Sequence, residues 1–249
     1  MLKVRIIPVL TFNGFGLVKT KQFQQPRMVG NPVQAARVYN SRGVDELLFL
    51  DIFASKQQRK LNLKIVSDVI RECFMPVGIG GGVDSIEDIQ ALLKIGADKV
   101  VIKTAALNDP DFVRKAADFF GAQCISVAVD AYLDDAGIYR IYTTEKGSIP
   151  ADEFIQSMAE KGAGELVLTS VDRDGMMQGF DVELVKLAEK NCQLPIVVSG
   201  GGGEPAHFTE LFSQTNCGAV AAASIFHFTQ FTPLDIKREL GAIGKPVRL

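Results

Sequence analysis

The two halves of this chain repeat one another at an offset of about 119 residues. Pro76 answers to Pro195, Gly81-Gly82 to Gly200-Gly201, and Asp51 to Ser170. The stretch Val101-Ile102-Lys103-Thr104-Ala105 answers to Ala221-Ala222-Ala223-Ser224-Ile225. In each half a short apolar run ends in a glycine cluster or a hydroxyl residue able to hold a phosphate. A chain written twice from one unit must pack two equivalent halves against each other. Two anion-holding sites half a fold apart suit a ligand with a phosphate at each end.

The repeat unit is legible as alternating strands and helices. Continuous apolar runs occur at Val4–Leu10, Glu46–Asp51, Pro76–Ile79, Lys99–Lys103, Cys124–Asp130, Glu165–Ser170, Pro195–Ser199 and Gly218–Ala223. Continuous rather than alternating hydrophobicity marks strands buried on both faces of a parallel sheet. Helical patterns lie between them. Asp84-Ser85-Ile86-Glu87 and Asn108-Asp109-Pro110 read as helix starts, and Gly43, Gly96 and Gly162 stand where helices should stop. Eight strands alternating with eight helices predict an α/β fold of the (β/α)8 TIM-barrel class, with half-barrels at about 1–120 and 121–249. A doubly wound open sheet is the alternative, but equivalent halves close more naturally into a ring. At 249 residues one barrel domain accounts for the whole chain. Two excursions, Thr11–Gly30 and Ala131–Ile149, occupy corresponding places in the halves and read as lid loops over the catalytic face.

Charge narrows the function classes. With 27 basic and 29 acidic residues the net charge is −2, which offers no electrostatic case for nucleic acid or a membrane surface. Any anion site must be local. Cys73, Cys124, Cys192 and Cys217 are widely spaced, and His207 and His227 are the only histidines, so neither a disulfide framework nor a metal site is expected. Met1 to Pro8 lacks the long apolar core of a signal peptide, and no apolar run is long enough to span a bilayer. The expectation is a soluble cytoplasmic protein without a cofactor.

In such a barrel the C-terminal strand ends face the ligand. Those ends carry Thr11, Asp51, Gly80–Gly82, Thr104, Asp130, Thr169 and Ser170, Gly200–Gly203, and Ser224. Gly81, Gly82, Gly201 and Gly202, with Thr104 and Ser224 on neighbouring strands, are the candidate phosphate sites. Asp130 is a carboxylate over the barrel mouth, suited either to proton transfer or to anchoring a lysine. Asp174-Gly175, in Asp172-Arg173-Asp174-Gly175, reads either as a ligand contact or as a loop closed by an Arg–Asp bridge. Asp51 likewise reads either as a ligand contact or as an organiser of the site floor, and Lys19 as a group that closes over an anion or lies in solvent. At the opposite strand ends Arg5, Glu46, Lys99 and Glu165 suggest a salt-bridged ring, either structural pairing or a gate to the barrel interior.

Taken together, RIIPVL, GLVKT, DELLFLDIFAS, GIGGGV, ADKVVIKTAA, FGAQCISVAVDA, LTSVDRDGMMQGFD, PIVVSGGGGEPAHF and AAASIFHF resemble the cyclase subunit of imidazole glycerol phosphate synthase over essentially the whole chain. That resemblance implies a barrel paired with a glutaminase at its N-terminal face. Ammonia would enter through the charged ring, matched here by Arg5, Glu46, Lys99 and Glu165, and cross to a bis-phosphorylated substrate. The family's catalytic pair is two aspartates. Asp130 matches one, whereas Thr11 stands in the place of the other, and Lys103 replaces the family's asparagine, adding a charge that would meet the substrate if it points into the site. A threonine hydroxyl has no pKa near neutrality and cannot do the work of the missing carboxylate.

Both departures fall on the chemistry while the gate residues are retained. The pattern resembles a diverged paralogue branch tied to surface-polysaccharide pathways. There the barrel and its glutaminase supply ammonia for amidation of a sugar nucleotide, with a separate sugar-modifying enzyme as further partner. The alternatives are a true cyclase (a lyase of histidine biosynthesis) and a non-catalytic ammonia conduit.

Overall fold

A computed structural model of the chain describes residues 3–143 and 149–249. The chain opens with β1 (Arg5–Phe12), folds back through a hairpin of β2 (Leu17–Lys21) and β3 (Gln24–Gly30), and enters α1 (Pro32–Ser41). It continues through β4 (Leu47–Asp51), α2 (Leu63–Ile70), β5 (Val77–Gly80), α3 (Ile86–Lys94), β6 (Lys99–Ile102), α4 (Thr104–Asn108) and α5 (Pro110–Phe120). The second half runs through β7 (Ile125–Leu133), β8 (Tyr139–Ile141), α6 (Ala151–Glu160), β9 (Glu165–Ser170) and α7 (Val182–Asn191). It ends with β10 (Ile196–Ser199), α8 (Pro205–Gln214), β11 (Ala219–Ala222), α9 (Ser224–Phe228) and α10 (Pro233–Ala242).

The sheet closes. β1 pairs in parallel with β4 on one side and with β11 on the other, where Arg5 lies opposite Ala219. The ring β1-β4-β5-β6-β7-β9-β10-β11 is a (β/α)8 TIM barrel, and the doubly wound open sheet is excluded. Each strand buries both faces, hence its continuous apolar sequence. Ile7, Val9, Leu48, Val101, Val167, Val197, Ala219 and Ala221 fill the barrel interior. Ile6, Leu10, Phe49, Ile79, Val100, Val127 and Leu168 point outward into the layer shared with the helices.

The local signals act as read. The Ser85 side chain accepts the Asp88 N–H at the start of α3, and Asp109 accepts the Asp111 N–H ahead of Pro110 in α5. Gly43, Gly96 and Gly162 take positive φ just beyond α1, α3 and α6.

Three features differ from the sequence reading. The described residues hold two further short helices, α4 and α9, at repeat-equivalent places after β6 and β11; neither has a side-chain cap, so no start signal announced them. β1 runs past Leu10 to Phe12, and β7 runs past Asp130 to Leu133. The excursions contain hairpins that prolong these strands: β2 and β3 extend from β1, and β8 pairs antiparallel with β7. Part of the second excursion, residues 144–148, lies outside the described residues.

Candidate functional site

At the end where the barrel strands start, four charges close a circuit. Arg5 donates to Glu46 and to Glu165. Lys99 Nζ lies 3.0 Å from Glu46 Oε1 and 2.8 Å from Glu165 Oε2. Each carboxylate is therefore shared by two cations, and each cation by two carboxylates. Burial alone would lower the Arg5 pKa, but Glu165 and Glu46 together hold it above its ordinary value. The anticipated salt-bridged ring is present. Immediately behind it, Asp45 accepts the Ile6 N–H at 2.9 Å and the buried Lys237 of α10 at 2.9 Å. That pair anchors the strand starts that carry Arg5 and Glu46.

At the other end a cavity of about 700 Å³ opens. It is lined by Thr11, Lys19, Asp51, Gly81, Gly82, Lys103, Thr104, Asp130, Thr169, Asp174, Gly175, Gly201, Gly202 and Ser224, whereas Gly203 is not part of the lining and Ser170 is buried with its hydroxyl on Asp181. These residues come from both halves, so barrel closure is what assembles them. The glycines have a reason of their own. A Cβ on Gly81 would run into the Asp51 carbonyl, and one on Gly82 would come 2.7 Å from the Arg59 carbonyl. Both positions also have positive φ, so the tight turn after β5 requires glycine with or without a ligand.

Three aspartates face this cavity, and each holds a cation. Asp51 accepts Arg59 through both carboxylate oxygens, at 2.6 and 2.9 Å, and also the N–H groups of Phe53 and Ala54. Its carboxylate thus ties the loop after β4 together at the cavity floor. Asp174 departs from the Arg–Asp bridge that its loop suggested. It takes Thr20 Oγ1 at 3.0 Å and Lys19 Nζ at 3.7 Å, both from β2. Lys19 is thus buried, at 7% exposure, and is no solvated surface lysine. The Gln22 N–H donates to the Asp174 carbonyl at 2.9 Å, so the first hairpin is fastened down onto this loop.

Asp130 takes the third cation: Lys103 Nζ sits 2.6 Å from its Oδ2. The same ammonium lies 5.5 Å from the ring centroid of Tyr142 and 5.9 Å from that of Phe23, within cation–π range. The two rings meet edge to face at 5.3 Å, one from each excursion. Thr11, the repeat partner of Asp130, turns its hydroxyl to the Val18 carbonyl of β2. It therefore ties β1 to the hairpin.

Phe23, Tyr142 and Arg59 were not foreseen, because a lone aromatic or arginine in a loop carries no spacing signal. His227 of α9 was noted only as a scarce residue. Burial and, less strongly, the nearby Lys19 charge push its pKa down to about 4. Thiol chemistry is poorly served: all four cysteines are free, and burial pushes Cys73 and Cys217 up to about 11. Among the described residues no group of three or more His, Cys, Asp or Glu is placed to hold a metal ion, and no helix is long and apolar enough to cross a membrane.

A family model described as "Histidine biosynthesis protein" matches residues 5–232, a span that contains all eight barrel strands and every candidate residue above. The chain belongs to that family. It is also 42% identical, over an alignment of 253 residues, to the imidazole glycerol phosphate synthase subunit HisF of Caulobacter vibrioides, in strains NA1000 / CB15N and ATCC 19089 / CIP 103742 / CB 15. The alignment covers 100% of this chain and 97% of each relative. The chain is thus a HisF-like subunit on a barrel of the family's type, and its cavity and ion-pair ring lie at opposite ends of that barrel.

Proposed function

We propose that this barrel is the ammonia-receiving subunit of a glutamine amidotransferase complex, and that it is a diverged paralogue serving amidation of a sugar nucleotide. A glutaminase docks at the end carrying Arg5, Glu46, Lys99 and Glu165. Phe74, 91% exposed just before β5, and Phe119, 67% exposed at the close of α5, offer apolar contacts at that end. Ammonia passes the ring, crosses the apolar barrel interior and emerges in the cavity. There Gly81, Gly82 and Thr104 hold one phosphate of the ligand, and Gly201, Gly202 and Ser224 hold another. Lys19, Asp51, Thr169, Asp174 and Gly175 line the space between. A separate sugar-modifying enzyme receives the nitrogen.

One observation carries the divergence. Closing an imidazole ring by general acid–base catalysis calls for a proton donor and a proton acceptor on opposite sides of the substrate. Here the place opposite Asp130 is held by Thr11, whose hydroxyl is bonded to Val18, so the second carboxylate is missing. The deciding assay is cyclase turnover on the bis-phosphorylated aminoimidazole-carboxamide substrate, with ammonium salt supplied directly. The native chain should show none, and the pair Thr11→Asp, Lys103→Asn should gain about 10²-fold or more over it.

The second reading, a true cyclase of histidine biosynthesis, is favoured by 42% identity sustained along the full chain. Native turnover of about one per second would establish it and refute the first. If Asp130→Ala leaves product formation unchanged in the full assembly while Lys99→Met abolishes it, the barrel is a conduit without chemistry of its own. Absence of binding to the cognate glutaminase in a calorimetric titration would refute all three.

A further inference from the structure

Two lysines reach the cavity from opposite sides. Lys19 comes from β2, is held at Asp174, and lines the same cavity as Ser224 and the second-half glycines. Lys103 follows β6, one residue before Thr104, and β6 pairs with β5, which leads into Gly81 and Gly82. Each lysine is held in reserve by an aspartate, Lys19 by Asp174 and Lys103 by Asp130.

We propose that Lys103 is an anion-binding residue of this mouth, exchanging the Asp130 carboxylate for a phosphate seated at Gly81, Gly82 and Thr104. This rests on the reading of the mouth as a phosphate site and names the residue that sets how one end of the ligand is held. A phosphate oxygen is the same kind of acceptor as the carboxylate oxygen Lys103 already holds, and a phosphate dianion carries more charge. The ammonium sits on a flexible four-carbon stem, so the exchange needs rotamer changes and no movement of β6. The Lys103 side chain is about one-quarter exposed, open to the cavity rather than sealed beneath it.

The repeat supplies an internal control. The equivalent of Lys103 is Ala223, which brings no charge to that strand end, so the lysine left to serve the rest of the cavity is Lys19, which rides on a hairpin. One end of the ligand is then gripped by a fixed strand end and the other by a loop. A ligand with unlike ends binds in one direction. The exchange also leaves Asp130 without its cation, so the mouth's strand-end carboxylate becomes available only when the neighbouring anion site is filled.

The test is calorimetric titration of the full-length protein with inorganic phosphate, comparing the native chain with Lys103→Met and Asp130→Asn, each checked for native thermal unfolding. Lys103→Met should weaken the tighter phosphate site about tenfold, and Asp130→Asn, which frees Lys103, should strengthen it by a similar factor. A purely structural ion pair would move both variants in the same direction. A crystal structure with phosphate should show the Lys103 ammonium on the phosphate and off Asp130. Native-like affinity in a folded Lys103→Met variant overturns the exchange while leaving the phosphate site intact. Failure of the native chain to bind phosphate at all overturns both.

Discussion

The two ends of the barrel use the same chemical parts in opposite ways. At the strand starts, Arg5, Glu46, Lys99 and Glu165 form a closed circuit in which every charge has two partners. At the strand ends, Lys19–Asp174 and Lys103–Asp130 are separate pairs, each aspartate holding one lysine. A closed circuit holds each side chain from two sides, so it is rigid, and removing any member leaves two partners short of a counter-charge. A separate pair can trade one partner for an incoming ion of the right sign. The first arrangement suits a fixed aperture, and the second suits a site that must accept a ligand.

The largest expected effect lies in the circuit. Glu46→Ala leaves Arg5 and Lys99 facing each other with one carboxylate between them. It should cost about 3–5 kcal/mol in urea unfolding. A cost below about 1 kcal/mol would mean that the ring is no more coupled than the pairs at the mouth.

The next concerns acid. His227 has an ordinary pKa of 6.5 and a folded value of about 4. Between these values only the unfolded chain takes up the proton, so stability is complete above about pH 6.5 and falls as the pH drops toward 4. The loss is on the order of 3 kcal/mol. Unfolding measured at pH 7 and pH 4.5 should show this slope in the native chain and a shallower one in His227→Gln, tying acid sensitivity to the mouth rather than the ring.

Thr11→Val removes the bond to Val18 while keeping the side-chain volume, at a cost of about 1 kcal/mol. A far larger loss would assign Thr11 more than the tie to β2. Smallest of all is Arg37→Ala. Its two-pronged contact with Glu72 is at the surface, where water and salt screen it, and no resolvable change in the urea midpoint is expected despite good geometry.

The strands were legible because burial on both faces writes an unbroken apolar run, and the helix boundaries because Ser85, Asp109 and the stopping glycines act within a few residues of themselves. The ring was legible because a barrel brings the first residue of every strand to one end. What escaped depends on contacts across long separations. Asp174 looks bonded to its neighbour Arg173 in sequence, yet its partners Thr20 and Lys19 are some 154 residues away and arrive only once the hairpin folds over the mouth. The Lys103–Asp130 pair was foreseen only from the Asp130 side, as an anchor for some lysine, since naming that lysine requires β6 and β7 to be adjacent and in register. Phe23 stands in a turn where Gln22, Phe23 and Gln25 all adopt positive φ, a conformation that nothing in Gln22-Phe23-Gln24-Gln25 announces.

The first hairpin carries one more consequence. Among the described residues β3 pairs with β2 alone, so it is an edge strand beside the closed ring. Such a margin invites a strand from another molecule. This one is guarded: Pro26 has no N–H to offer, Arg27 adds charge, and the pairing with β2 is broken by register shifts. Met28, more than half exposed on the same strand, is the weak point of that guard. Changing Pro26 and Arg27 together to β-branched apolar residues would turn a lid into an adhesive, and the first symptom would be turbidity at high concentration rather than any loss of fold.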